Sequence, residues 1–308
     1  MVIDVLSKEY FGKPERYADL FNGILFGGTQ VILPSELQVV EAELNDASEK
    51  KAYRSVVDLL MLWVKDGRKR AYFYLEEQSK KDSRMVARKL KAEGIGYLQQ
   101  FARKGQFFYL NDTILANGTA ISKNDQVLPM IGLVVYLGKE PWDAPTSLTQ
   151  MLIPCKEIEE YVQDTKINLV DYHDMPATNV FKSDLYILFE TLKRQGDKEA
   201  MLELYKGMAV IRGDLMRLVA KLTNMKHVKK YLFKDETGEE KGLMCKAFDD
   251  MRAEGREEGR EEGRNQGKAE GIEAMLLAVN RIRAGATKEN LKAEGFDHAT
   301  IKAAFSIA

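Results

Sequence analysis

The sequence predicts an α/β fold: a sheet covered by helices on both faces, followed by a mainly helical part and a charged tail. Three observations predict it. Two apolar runs, 55–64 and 70–77, flank the turn-forming pair Asp66-Gly67, as a β-hairpin requires. A third run, VLPMIGLVVYL at 127–137, has the length and Val/Ile content of a buried strand. Segments of helical periodicity stand before the hairpin and between it and the third run.

Taken in order, Pro14 suits the first turn of a helix, and Tyr17, Leu20, Phe21, Ile24 and Leu25 recur at helical spacing until Gly27-Gly28 stops it. The apolar segment 37–44 is of unassigned type. In the run 55–64 both alternating faces are apolar, Val57, Leu59, Met61 and Trp63 on one and Leu60 and Leu62 on the other. Such a strand belongs in the middle of a sheet with helices on both sides. From 83 to 101, Val86, Leu90, Tyr97, Leu98 and Phe101 fall on one helical face, with Lys and Arg on much of the remainder. The strand 127–137 ends at Gly138 and the turn-rich KEPWDAP. The order helix, strand, hairpin, helix, strand makes a core domain at 1–146.

Residues 147–235 read as a mainly helical subdomain, with amphipathic segments at 182–194, 197–206 and 207–233, Asp197 as an N-cap, and 167–172 as an edge strand. A linker at 236–271 carries the one clear repeat, glycines at 255, 259, 263, 267 and 271. A four-residue step drifts about 40° per repeat on a helix. Each Gly costs about 1 kcal/mol against Ala, whereas pairs such as Glu257–Arg260 return about 0.2–0.5 kcal/mol. The segment reads either as a solvated spacer or as a coiled self-association element that would make a homo-oligomer. A small helical cap at 272–308 follows, with Thr287 and Asp297 as N-caps.

Composition narrows the function. The 308 residues are 45% hydrophobic and 30% charged, a globular composition of about two domains. No apolar run approaches the roughly 18–20 residues of a membrane span, and the N-terminus has no uninterrupted apolar stretch of the signal-peptide kind. Cys155 and Cys245 lie far apart, as reduced thiols do. These features predict a cytoplasmic protein that does not engage membranes. The net charge of −1 argues, taken whole, against a strong nucleic-acid binder. Phosphate-binding glycine loops, GxSxG and HExxH are all missing, and His173, His227 and His298 fall in separate segments.

The hairpin carries the chemistry. Asp58 sits in an otherwise apolar strand, and Glu76, Glu77 and Gln78 end the next. A carboxylate in a covered sheet is costly unless paired or metal-bound. If the hairpin pivots on Gly67, residues whose numbers sum to 134 face one another, which sets Asp58 opposite Glu76. Gln78 shares that face and Glu77 takes the other. A two-residue Asp66-Gly67 turn breaks this pairing by one position, so the reading needs a three-residue turn or a bulge. Two carboxylates so close repel unless a cation lies between them, and their hard oxygens suit Mg²⁺ or Mn²⁺. Such a metal supports phosphodiester hydrolysis. In the bland alternative, Asp58 caps a turn and Glu76 is solvated. Charge distribution bears on the choice: residues 65–91 carry a net +6, against −7 for the remainder. A basic belt beside a carboxylate pair is what a polyanion requires. The segment 80–91 reads equally as the solvated face of an amphipathic helix.

Together, ERYADLFNGILFGG, Asp58, LEEQS, VLPMIGLVVYLGKEPWDAP and INLVDYHDM…FKSDLYILFETLK resemble the Rpn family, recombination-promoting nucleases and transposases of the PD-(D/E)xK superfamily. The resemblance spans roughly residues 10–235. It implies a restriction-endonuclease-like αβββαβ core and a Mg²⁺-dependent (or Mn²⁺-dependent) DNA endonuclease, with Asp58 and Glu76 as metal ligands. It also implies Asp19 as the acid of the first helix, with Glu15 one turn away as the alternative. Gln78 stands where many of the superfamily have Lys; it can orient water but cannot take its proton. Glu77 stands where a neutral residue is expected. Arg84, Arg88 and Lys91 are the expected phosphate contacts on DNA. Pro141 and Trp142 mark the family and read physically as loop packing. The rival expectation is a catalytically inactive nuclease-like protein that binds nucleic acid or itself.

Overall fold

A computed structural model of the chain describes residues 3–40, 57–105, 107–110, 113–116, 126–175, 177–208, 210–225 and 227–308. The start of the predicted run 55–64 and the residues of segment 37–44 beyond 40 lie outside the described residues. Two helices open the chain, α1 (Ile3–Phe11) and α2 (Pro14–Phe26). Pro14 begins α2, and Gly27 closes it in the left-handed region at φ +59°, where its N–H returns to the Asn22 carbonyl. Next come β1 (Leu37–Val39), β2 (Leu59–Lys65), β3 (Arg68–Gln78), α3 (Met85–Gly105), the hairpin β4 (Phe107–Leu110) and β5 (Thr113–Ala116), β6 (Met130–Tyr136) and β7 (Asn168–Asp171). The main sheet is mixed, in the order β1-β2-β3-β6-β7. Its first three strands are antiparallel neighbours, whereas β6 runs parallel to β3 and β7 parallel to β6.

The hairpin register follows from its turn. Asp66 and Gly67 both have positive φ, +52° and +69°, and form a two-residue turn between the paired Lys65 and Arg68. A bulge at Trp63/Val64 then shifts the register by one residue, and from Trp63↔Ala71 to Leu59↔Leu75 the numbers sum to 134. The ladder ends at Leu59↔Leu75, and Asp58 lies just outside it, its N–H donating to the Leu75 carbonyl at 3.2 Å.

Helices cover both faces of β3. On the odd-numbered face the Tyr17 hydroxyl donates to the Phe73 carbonyl at 2.9 Å, and the Phe21 and Phe73 rings lie 4.6 Å apart, which seats α2. On the even-numbered face the Tyr74 hydroxyl donates to Glu93 of α3 at 3.0 Å. Gly132 of β6 lies against the Tyr74 ring, where a Cβ would overlap it. The buried aromatic and aliphatic side chains of this sandwich form the hydrophobic core that holds the sheet.

Beyond β7 stand α4 (Leu185–Lys193), α5 (Lys198–Tyr205), β8 (Ile211–Arg212), α6 (Gly213–Leu222), β9 (Leu232–Lys234) and β10 (Glu240–Gly242), the three short strands pairing as β8-β10-β9. Asp197 caps α5, accepting the Glu199 and Ala200 N–H groups at 3.0 Å each. Residues 147–235, expected as a mainly helical subdomain packed on the core, lie in the compact unit that runs to Met244. They add β7 to the edge of the sheet, and α4 and α6 pack against α2 and α1. Buried Arg16 of α2 ties these layers, pairing with Asp184 at 2.6 Å and Asp214 at 2.7 Å.

The second unit begins at Cys245. Helix α7 (Met244–Arg283) runs unbroken through the glycine repeat, about 60 Å at 1.5 Å per residue, and residues 255–273 are exposed throughout. The expected linker 236–271 is thus helical from Met244 on, while its start carries β10. Helices α8 (Lys288–Ala293) and α9 (His298–Ile307) fold back with Thr287 and Asp297 as N-caps and bury Ala278, Val279, Leu291, Ile301 and Ala304. Among the described residues no helix is long and apolar enough to cross a membrane.

Candidate functional site

The strand end where β2 begins and β3 stops carries the titratable cluster. Asp58 Oδ2 accepts the Glu77 backbone N–H at 2.9 Å, which fixes the carboxylate against the end of β3, and Oδ1 pairs with Lys8 of α1 at 3.0 Å. Glu76, buried at 3% exposure, points to the α3 side and pairs with Arg88 at 2.7 Å. Arg88 also reaches Asp82 at 3.2 Å. Burial pushes the Glu76 carboxyl up to about 7, helped by the charge of Asp58 and opposed by Arg88 and Lys8. Glu77, on the opposite face, is pushed up to about 8 by burial and by Asp58 and Asp4, while a hydrogen bond with Ser7 of α1 works against this.

A cleft of about 350 Å³ opens here, lined by Asp4, Lys8, Asp58, Glu77, Gln78, Ser79, Lys80 and Arg88. A second recess of about 430 Å³ adjoins it through Gln78 and Lys80 and continues along Lys81, Asp82, Ser83 and Arg84. The arrangement offers two hard-oxygen carboxylates at the end of a strand, a neutral amide beside them and a rim rich in Lys and Arg.

The structure brings Asp58, Glu76 and Gln78 to one strand end, and it does not bring Asp19 there. Both Asp19 oxygens are occupied by the loop before α4, accepting the Lys182 N–H at 2.8 and 2.9 Å, the Ser183 N–H at 2.6 Å and the Ser183 hydroxyl at 2.6 Å. Asp19 is a buried clamp between α2 and that loop. Glu15, the alternative, lines a different cavity beside Arg16 and Asp184. Of the expected phosphate contacts, Arg84 is exposed but paired with Asp82 at 3.0 Å, Lys91 is exposed, and Arg88 is held by Glu76 and Asp82.

Sequence reasoning missed α1, whose Asp4, Ser7 and Lys8 face the carboxylates. The spacing of Asp4 and Lys8, one helical turn apart ahead of the apolar Tyr10-Phe11, was the available signal. Glu77 is also more than a tolerated outward charge, because it lines the cleft.

Whether the residues suit a divalent ion can be judged from the donors. Among the described residues no three His, Cys, Asp or Glu side chains form a ready metal-holding group. Mg²⁺ needs only one or two carboxylates, with water and substrate phosphate completing its shell. Asp58 and Glu76 are two such carboxylates, and the charge of Asp58 adds to burial in raising Glu76.

No curated protein and no solved structure matches the chain. A protein-family model described as "Putative transposase, YhgA-like" matches residues 4–212. That span takes in the whole five-stranded sheet, the carboxylate cleft and α1 through α5. With two thirds of its length inside this match, the chain belongs to the YhgA-like transposase family.

Proposed function

We propose that the protein is a metal-dependent DNA endonuclease acting in recombination or mobile-element movement. The observation that carries this reading is the electrostatic coupling of Asp58 to the buried Glu76 at a strand end beside a basic-rimmed cleft lined by Asp58, Glu77 and Gln78. The order α2-β1-β2-β3-α3-β6, with β6 parallel to β3, supports a restriction-endonuclease-like αβββαβ core. Membership of a transposase family supports a DNA substrate.

In this reading Asp58 and Glu76 hold Mg²⁺ or Mn²⁺. When bound, the ion polarises a phosphoryl oxygen and supplies a water of lowered pKa. Gln78 orients that water through its amide but cannot accept its proton. The backbone N–H of Glu77 keeps the Asp58 carboxylate in place. Lys8 and Arg88, the present partners of the two carboxylates, would be available to phosphate with a cation held by Asp58 and Glu76. Lys80, Lys81 and Arg84 line the adjoining recess and add cationic contacts to the backbone of DNA.

One observation favours a second reading. Lys8 and Arg88 already neutralise both carboxylates, as they would in an inactive nuclease-like module that only binds DNA. Plasmid relaxation separates the two. The endonuclease reading expects nicking that needs Mg²⁺ or Mn²⁺ and disappears in Asp58→Ala and Glu76→Ala. Undiminished cleavage in both variants sinks it, and salt-sensitive binding without cleavage supports the second reading.

A further inference from the structure

The loop 138–143, between β6 and the segment leading to β7, is held by a row of side-chain donors. The Tyr172 hydroxyl donates to the Gly138 carbonyl at 2.8 Å, His173 Nε2 lies 2.9 Å from the Lys139 carbonyl, and the Tyr136 hydroxyl donates to the Glu140 carbonyl at 2.8 Å. On its other side the His173 ring meets a carboxylate, with Nδ1 2.6 Å from Asp171 Oδ1. Asp171, buried at the end of β7, also accepts the Trp142 backbone N–H at 2.8 Å and the His173 backbone N–H at 3.0 Å. Both ring nitrogens of His173 therefore face oxygens that only accept. A neutral imidazole has a single N–H and satisfies one of the two, whereas the doubly protonated ring satisfies both.

The loop reaches the cleft through its acid. Asp143 pairs with Lys81 at 2.8 Å, and Lys81 lines the recess that shares Gln78 and Lys80 with the carboxylate cleft. Asp171, Tyr172 stacked at 3.9 Å and Tyr136 at 6.4 Å face the ring, and Glu140, Asp143 and Lys81 lie beyond it around Tyr136. Burial pushes both tyrosines up, Tyr172 to about 12, so their hydroxyls stay donors across the neutral range.

We infer that His173 is a positioning residue for the recess beside the cleft: its ring, donating to Asp171 and to the Lys139 carbonyl together, fixes the 138–143 loop and so holds Lys81 in that recess. Loss of one ring proton breaks one of the two bonds and frees the loop on that side. The effect on DNA rests on the endonuclease reading; the latch does not.

The test uses the full chain with Trp63→Phe, so that Trp142 alone reports on the loop. The latch predicts a one-proton change in Trp142 emission between pH 5.5 and 9, absent in His173→Gln. It also predicts plasmid nicking by His173→Gln lowered about tenfold, the scale of one charge-assisted hydrogen bond, with Lys139 and Asp171 unchanged in sequence. Because Glu76 and Glu77 titrate in the same range, the activity profile is read as the difference between the two proteins. An emission change that persists in His173→Gln, or flat emission in the parent, overturns the latch. Should His173→Gln not fold by circular dichroism, ring ¹⁵N spectra of the parent decide. Two ring N–H groups at pH 6, one of them lost in step with the Trp142 emission, support the latch, and a singly protonated ring at pH 6 overturns it. A latch transition without cleavage at any pH leaves the latch standing and removes the endonuclease reading.

Discussion

Without divalent metal, the stability of the first unit should fall as pH rises from 5 to 8. Glu76 is held up at about 7, against an ordinary 4.5, by burial first and the charge of Asp58 second. A carboxyl whose pKa is higher folded than unfolded holds its proton more tightly in the native state. Its contribution is complete below the unfolded value and is lost as pH climbs through the folded one. For Glu76 the difference between 4.5 and about 7 corresponds to about 3 kcal/mol. Glu77, at about 8, acts in the same direction and carries the loss on toward pH 8. Asp82, pulled down to about 2 chiefly by its hydrogen bond with Arg84, has the opposite sign but acts only below the ordinary Asp range, so the windows do not overlap. Urea midpoints at pH 5, 6, 7 and 8 in chelator measure the slope. Glu76→Gln, which has no proton to lose, should remove about 3 kcal/mol of it. Added Mg²⁺ should flatten the parent's curve, because metal binds the ionised carboxylates. An unchanged slope in both Glu76→Gln and Glu77→Gln, or a parent that gains stability across this window, refutes the reasoning.

Three further outcomes follow from the packing. Asp19→Ala should cost about 2–3 kcal/mol by urea denaturation, because it leaves the Lys182 and Ser183 N–H groups without their acceptor, and should leave metal affinity at the parent value by calorimetry. Arg16→Met should cost about 3 kcal/mol, the low end for breaking a buried ion pair, since Lys13 still holds Asp214 at 2.7 Å; melting temperature reads it. Replacing Gly259, Gly263 and Gly267 by Ala, where a Cβ meets nothing within 4 Å, should strengthen α7 by about 1 kcal/mol per site in the thermal decay of the helical signal. A loss of helicity would mean that these glycines admit a close neighbour.

Much of this was legible because it is local. The αL stop at Gly27, the caps at Asp197, Thr287 and Asp297, and the strand that stops at Tyr136, two residues before Gly138, are written in nearby residues. The hairpin register was legible too, since the Asp66-Gly67 turn and the requirement for a bulge are arithmetic on adjacent strands. What did not show were pairings between distant segments. Nothing near Asp19 marks Lys182 and Ser183, more than 160 positions away, as the groups that take both its oxygens. Likewise Arg88 reads as a solvent-facing cation on a basic helix until β3 places Glu76 beneath it. Segment 167–172 read as an edge strand and β7 takes the sheet's edge, whereas its parallel pairing with β6 depends on a crossover that periodicity does not encode.

The claim that matters most is that Asp58 and Glu76 share a divalent cation. Calorimetric titration of Mg²⁺ and of Mn²⁺ into the full chain at pH 7.5, beside Glu76→Gln, tests it directly. A saturable site in the parent, with proton release on binding, and its loss in Glu76→Gln are the expected result. No saturable binding in the parent, or equal binding by Glu76→Gln, would contradict it.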